Sequence, residues 1–191
     1  MNILVTGGAG YIGSHVAKEL RKEGFTPIII DNLSTGNRGA VLDEKLIVED
    51  LKNKEAIKKI IKENKIEGVM HFAGSIKVPE SVIDPIKYYQ NNTRNSLNLI
   101  EVCSELKVEN FIFSSTAAVY GELENGFATE ETEKSPINPY GRSKLMTEWM
   151  LEDYAKSTDQ FNYAAIRYFN VCGADPDGDI GQAFPEPFHL I

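Results

Sequence analysis

Asn2-Ile3-Leu4-Val5-Thr6-Gly7-Gly8-Ala9-Gly10-Tyr11-Ile12-Gly13 decides the fold. Asn2–Thr6 is a short apolar run that stops at glycine, the pattern of a strand buried on both faces. Gly7, Gly10 and Gly13 follow at three-residue spacing. From Tyr11 to Glu23 apolar residues recur at Ile12, Val16 and Leu20, with Lys18, Arg21 and Lys22 elsewhere, a helical period that Gly24 ends. Gly7 permits a tight turn, Gly10 lets backbone amides approach a pyrophosphate, and Gly13 allows close packing of helix on strand. The helix N-terminus adds unpaired N–H groups and partial positive charge for phosphates. The glycine spacing is weak by itself; a strand before it and a helix after it are the context it requires.

Reading outward, Thr26–Ile30 is a second strand closing on Asp31. An acid there accepts hydrogen bonds from an adenosine ribose and repels a 2′-phosphate, which favours NAD over NADP. Lys45–Val48 is a third strand, and Glu49-Asp50-Leu51 at its end borders the adenine position. Lys54–Glu63 is an amphipathic helix, and the lysines between Lys52 and Lys65 are balanced by Glu55 and Glu63 on a solvated face. Gly68–Phe72 is a fourth strand. A helix follows Pro85 through Leu106 with Tyr89, Leu97, Ile100 and Val102 as its apolar side. Phe111–Ser114 is a fifth strand, a helix runs from Pro139 to about Lys156, and Tyr163–Arg167 is a sixth strand. This alternation implies an α/β fold, a Rossmann-type doubly wound parallel sheet. We assign residues 1–173 to a cofactor domain. Residues 174–191, rich in Pro, Gly and acids and without Lys or Arg, read as the start of a substrate region whose remainder is largely missing.

Composition excludes other classes. The 191 residues carry 20 Lys and Arg against 28 Asp and Glu, a net charge of −8, with 42% hydrophobic residues. That is too apolar for a disordered chain. The acidic balance without a basic run argues against nucleic acid as a partner. No apolar run approaches the length of a membrane span. No leader precedes the first strand, so the expected compartment is the cytoplasm. Cys103 and Cys172 are too few for a disulfide framework or a zinc site, and no metal is expected. His71 reads as a core histidine, His15 as structural, Cys103 as a buried small hydrophobe and Trp149 as packed on the core or a partner.

A second constellation lies in Tyr140-Gly141-Arg142-Ser143-Lys144. Residues four apart on a helix share a face. A phenol is a poor base near neutrality, and a nearby ammonium or nicotinamide cation lowers its pKa. Tyr140 and Lys144 therefore suit proton transfer beside a hydride acceptor. Ser114-Ser115-Thr116 falls at the carboxyl end of the fifth strand, where ligands bind in such sheets.

Thr6–Gly13 (TGGAGYIG), Asp31–Gly36 (DNLSTG), His71–Gly74 (HFAG), Tyr88–Asn92 (YYQNN), Phe113–Gly121 (FSSTAAVYG), Asn138–Lys144 (NPYGRSK) and Arg167–Ala174 (RYFNVCGA) occur in one order. Together they resemble the extended short-chain dehydrogenase/reductase family and, within it, the branch of UDP-hexose 4-epimerases. The resemblance spans nearly the whole chain but only the N-terminal portion of such proteins. It implies NAD as cofactor, a UDP-sugar as substrate and, for full-length members, homodimers.

By position, the resemblance implies that Tyr11 and Ile12 contact the pyrophosphate and that Asp31, Asn32, Leu33, Ser34, Thr35 and Gly36 surround the ribose. Asp50 and Leu51 would flank adenine. Phe72, Ala73 and Gly74 would line the dinucleotide, with Asn91 and Ser114 near it and Phe169 by the nicotinamide. Tyr140 would be the catalytic base, Lys144 its partner and nicotinamide-ribose ligand, both of them also touching the cofactor, and Thr116 the hydroxyl at the sugar oxygen. Asn170, His189 and Leu190 would reach the substrate nucleotide. Related dehydratases place an acid directly after the threonine; Ala117 stands here and favours epimerisation. The family's lysine position holds Ile76, with Lys77 offset by one. The alternatives are a non-catalytic NAD-binding fragment and a nucleotide-sugar dehydratase or decarboxylase. For the isolated 191 residues the expectation is weak NAD binding and little turnover.

Overall fold

The computed structural model describes residues 1–123 and 126–183. β1 (Asn2–Thr6), β2 (Thr26–Asp31), β3 (Lys45–Val48), β4 (Gly68–His71), β5 (Asn110–Ser114) and β6 (Asn162–Ile166) form one sheet in the order β3-β2-β1-β4-β5-β6. Every pair is parallel. Strand order reverses between β1 and β4, which opens a crevice beyond their carboxyl ends. Register aligns those ends: Thr6 lies beside Ile30 and His71, His71 beside Phe113, and Ser114 beside Ile166.

Helices cover both faces: α1 (Tyr11–Lys22), α2 (Lys54–Glu63), α3 (Val78–Ile83), α4 (Pro85–Tyr88), α5 (Asn95–Leu106) and α6 (Pro139–Ser157). A π-helical turn, Tyr89–Arg94, joins α4 to α5. One core cluster packs α2, α5 and α6 around Leu4, Ile57, Leu99, Phe111 and Leu151; a smaller one sets Ala17 of α1 on Ile3, Val5 and Ile29. Lys54 and Lys58 of α2 pair with Glu101 and Glu105 of α5, so part of that solvated face bridges two helices. Among the described residues no helix is long and apolar enough to cross a membrane.

Three helix faces differ from the apolar-spacing reading. On α1 the buried residues are Gly13, Ser14 and Ala17, because only small side chains permit its close approach to the sheet. Along α4–α5 the expected Ile100 and Val102 are buried, but Leu97 is exposed, and the stripe continues through Tyr88, Asn92, Ser96, Leu99 and Cys103. Polar Asn92 and Ser96 interrupt that stripe, so apolar periodicity alone misplaces it. Trp149 on α6 is half-exposed rather than part of the core. Short α3 has no long-period signal and was not expected.

Candidate active site

A cavity of about 1060 Å³ runs along the carboxyl ends of the strands, from Glu49 and Asp50 at one end to Tyr168 and Gln182 at the other. Its first half is backbone. Gly7 has φ +69°, and a Cβ there would stand 2.6 Å from Ala73 N. A Cβ on Gly13 would stand 2.3 Å from Gly7 O, so only glycine lets α1 begin where it does. Gly10 precedes the first turn of α1 and carries no capping side chain, leaving the helix N-terminus open. Asp31 is buried at the end of β2. Its Oδ2 accepts from Ala9 N at 3.0 Å and its Oδ1 from Leu33 N at 2.8 Å. Burial pushes the Asp50 carboxyl up, but hydrogen bonds from Lys52 N and Asn32 outweigh it and hold the group below its ordinary value.

The second half is side chains. Pro139 starts α6, and Asn138 accepts from Gly141 N at 2.8 Å. The helix brings Tyr140 and Lys144 to the end of β5. Lys144 Nζ donates to Ser114 O at 2.9 Å and lies 5.0 Å from the Phe113 ring centroid. Burial pushes its pKa down to about 8. Tyr140 is held above the ordinary phenol value by burial; a hydrogen bond with Thr116 pulls the other way, and Tyr168 adds to the rise. Lys144 donates to the Ser114 carbonyl, and burial rather than its charge decides the direction of the Tyr140 shift. Thr116 caps a 3₁₀ turn, Ala117–Val119, accepting from Ala118 N at 3.1 Å.

Asn92, within the π-helical turn, ties three parts of the site. Its Oδ1 accepts from Ser75 N at 2.7 Å, and its Nδ2 donates to Ser75 O at 3.0 Å and Ser143 Oγ at 3.1 Å. Asn91 Nδ2 donates to Ser75 Oγ at 2.9 Å. His71 is a core residue as expected. Its Nδ1 is 2.6 Å from Thr6 Oγ1 and its Nε2 2.8 Å from Ser96 Oγ.

Of the residues expected to bind or react, Gly7, Gly10, Tyr11, Ile12, Gly13, Asp31, Asn32, Ser34, Thr35, Asp50 and Leu51 line this cavity. So do Phe72, Ala73, Gly74, Asn91, Ser114, Thr116, Tyr140, Lys144, Phe169 and Asn170. Leu33 and Gly36 do not. Leu33, at φ +57°, turns the chain and packs on the smaller core cluster. Gly36 abuts Asp31, where a Cβ would stand 2.8 Å from Oδ1. His189 and Leu190 lie outside the described residues. Ile76 and Lys77, at the family's lysine position, both line the cavity, as does Gln90 of the YYQNN stretch; Ser75 and Val78 also line it and were missed by sequence reasoning.

The sequence matches the NAD dependent epimerase/dehydratase family over residues 3–186. The chain belongs to that family. It is 50% identical to the UDP-glucose 4-epimerase of Azospirillum brasilense over 190 residues, which is 99% of this chain and 54% of that protein. Identity to UDP-arabinose 4-epimerase 1 of Arabidopsis thaliana is 46% over 196 residues, covering 97% of this chain and 46% of the relative. A crystal structure of UDP-glucose 4-epimerase from Brucella ovis in complex with NAD superposes with a TM-score of 0.95 at 43% identity, covering 99% of this chain and 58% of that one. The chain thus spans about half the length of the curated relatives it matches. Ala117, directly after Thr116, lines the cavity and offers no proton.

Proposed function

We propose that this chain is the cofactor-binding and proton-transferring part of an NAD-dependent UDP-sugar 4-epimerase. Residues 1–173 form the cofactor unit, and 174–191 begin the substrate-binding region. The observation that carries the reading is convergence. Tyr140, Lys144 and Thr116 meet at the end of β5, in the cavity whose far end is built from Gly7, Gly10, Gly13 and Asp31.

The residues present fit a dinucleotide. No side chain intrudes at Gly10, and the open α1 N-terminus suits a pyrophosphate. Each Asp31 oxygen takes one backbone donor and keeps acceptor capacity for ribose hydroxyls. Asp50, Leu51 and Asn32 would border adenine, and Phe72–Gly74 with Asn91 would line the dinucleotide. When bound, NAD supplies a hydride acceptor and its return.

Tyr140 takes the proton of the sugar 4-hydroxyl as that carbon is oxidised, and returns it after the keto sugar has turned over in the site. Thr116 donates to the same oxygen as its charge changes. Lys144 places a positive charge beside this exchange and is held by Ser114 O. Phe169 and Asn170 extend the wall toward the substrate nucleotide. Ala117, lacking a proton to give, favours inversion over loss of water.

The test uses the purified chain and a version extended to its relatives' length. UDP-galactose, UDP-glucose and UDP-arabinose are supplied with NAD, and products are resolved by chromatography. Interconversion at C4 without net consumption of NAD is expected of the extended protein. Release of water or carbon dioxide, or no conversion of any UDP-sugar, would overturn the reading.

A further inference from the structure

We propose that the Glu148–Arg167 pair, its carboxylate buried and its guanidinium half-buried, is a positioning device that acts through Ser115 and Tyr120 to hold the Thr116 turn against Tyr140. It rests on the reading of Tyr140 and Thr116 as the reacting groups. α6 carries Tyr140, Lys144 and Glu148 at intervals of four residues, one stripe of the helix. The first two face the cavity. Glu148 lies one turn further on, 5% exposed and outside the cavity lining. A carboxylate there loses its hydration and must be matched by close partners.

Those partners come from the two neighbouring strand ends. Arg167, immediately after β6, donates from Nε to Oε1 at 3.0 Å and from Nη2 to Oε2 at 2.6 Å, a two-point pair. Ser115 Oγ, immediately after β5, donates to Oε1 of the same carboxylate. Arg167 reaches on: its Nη1 donates to Tyr120 Oη at 2.9 Å, and its guanidinium lies 5.2 Å from the Tyr120 ring centroid. Ser115 and Tyr120 bracket the 3₁₀ turn Ala117–Val119 that Thr116 caps. One ion pair therefore grips both the entry and the exit of the turn that presents the Thr116 hydroxyl.

The surroundings leave this turn little slack. Ala117 N donates to Tyr168 O at 3.0 Å. A Cβ on Gly141, next to Tyr140, would stand 2.7 Å from Ala118 O, so the turn and the first turn of α6 are in close contact. A hydrogen bond weakens steeply with misalignment, so a small displacement of the turn separates Thr116 from the phenol.

Ser115→Ala in the extended protein is the first test, since it leaves the ion pair intact. We expect kcat to fall at least about fivefold with KM for the UDP-sugar within about twofold. The kcat/KM limb set by Tyr140 in the free protein should move to higher pH, because the Thr116 hydrogen bond that favours the phenolate there is weakened. Ser115→Thr, which keeps the hydroxyl, should restore both. Glu148→Gln should act more strongly in the same direction at equal folded fraction by circular dichroism. The other titratable groups near Tyr140 are Lys144 on α6, Tyr88 from α4 and Tyr168 after β6, and no variant alters them. Should the parent epimerise nothing, the functional reading fails. The positioning is then read from the Tyr140 phenol itself, by near-ultraviolet titration against Tyr140→Phe. A Ser115→Ala protein whose phenol titrates and whose kcat stands as in the parent would overturn the inference, as would a kcat loss that only tracks unfolding.

Discussion

The two ends of the cavity are built from opposite materials. The β1–α1–β2 end is backbone: Gly7 and Gly13 leave room that any Cβ would fill, and Asp31 is fixed by two N–H groups. The β5–α6–β6 end is polar side chain: Lys144 on Ser114 O lines it, and behind the lining stand Ser115 and Arg167 on Glu148 and Asn92 between Ser75 and Ser143. A backbone site fails by steric intrusion and takes the fold with it. A side-chain site can lose its chemistry while the fold stands, since buried charge is itself a cost to stability.

The largest effect expected from breaking this contrast is on rate. Tyr140→Phe in the extended protein should lower kcat about 10³-fold and leave NAD affinity and melting unchanged, because only the proton acceptor is removed. Gly13→Val should do the reverse. Its side chain enters the space of Gly7 O, 2.3 Å away at Cβ alone. A loss of roughly 3 kcal/mol in urea unfolding, together with lost NAD binding by calorimetry, is the expected result.

Lys144→Met separates fold from chemistry most sharply. Its pKa near 8 in the fold against an ordinary 10.5 means that keeping it charged at neutral pH costs about 3 kcal/mol. The lost hydrogen bond to Ser114 O offsets about 1 kcal/mol of any gain. The variant should therefore unfold about 2 kcal/mol later in urea while kcat drops about 10²-fold. Since the unfolded chain alone keeps this proton between pH 8 and 10.5, parent stability should also rise across that window.

His71 gives the acid limb. Burial first, then the charge of Lys144, pushes it down to about 3, against an ordinary 6.5. Between these values only the unfolded chain takes up a proton. Stability is thus complete above pH 6.5 and is lost as pH falls toward 3, by about 2 kcal/mol at pH 5. Urea titrations of the parent and of His71→Gln, which should lack this component, check it. The smallest effect is at Lys18, whose Nζ lies 2.7, 2.8 and 3.1 Å from Asp175, Asp177 and Asp179. Lys18→Met should speed hydrogen exchange over residues 173–180 and leave the melting temperature nearly unchanged.

Much of this was legible from the chain. Strand and helix order, the glycine loop, Asp31 and the Tyr140–Lys144 spacing each follow from local rules. Burial on two faces gives apolar strands, a phosphate turn needs residues without Cβ, and a helix puts residues four apart on one face. The apolar-spacing rule failed where a buried face is polar, as at Asn92 and Ser96, or small, as at Gly13 and Ala17.

By itself the sequence determined an alternating parallel sheet with a nucleotide loop at one end and a phenol–ammonium pair at the other. Only the tertiary structure decided that Asn92 joins Ser75 to Ser143, that Glu148 meets Ser115 and Arg167, and that Lys144 turns to a carbonyl rather than to Tyr140. Contacts between buried polar groups leave no periodic trace in a chain. They depend on strand register and on how deeply each helix seats, which the packing of the whole sheet sets.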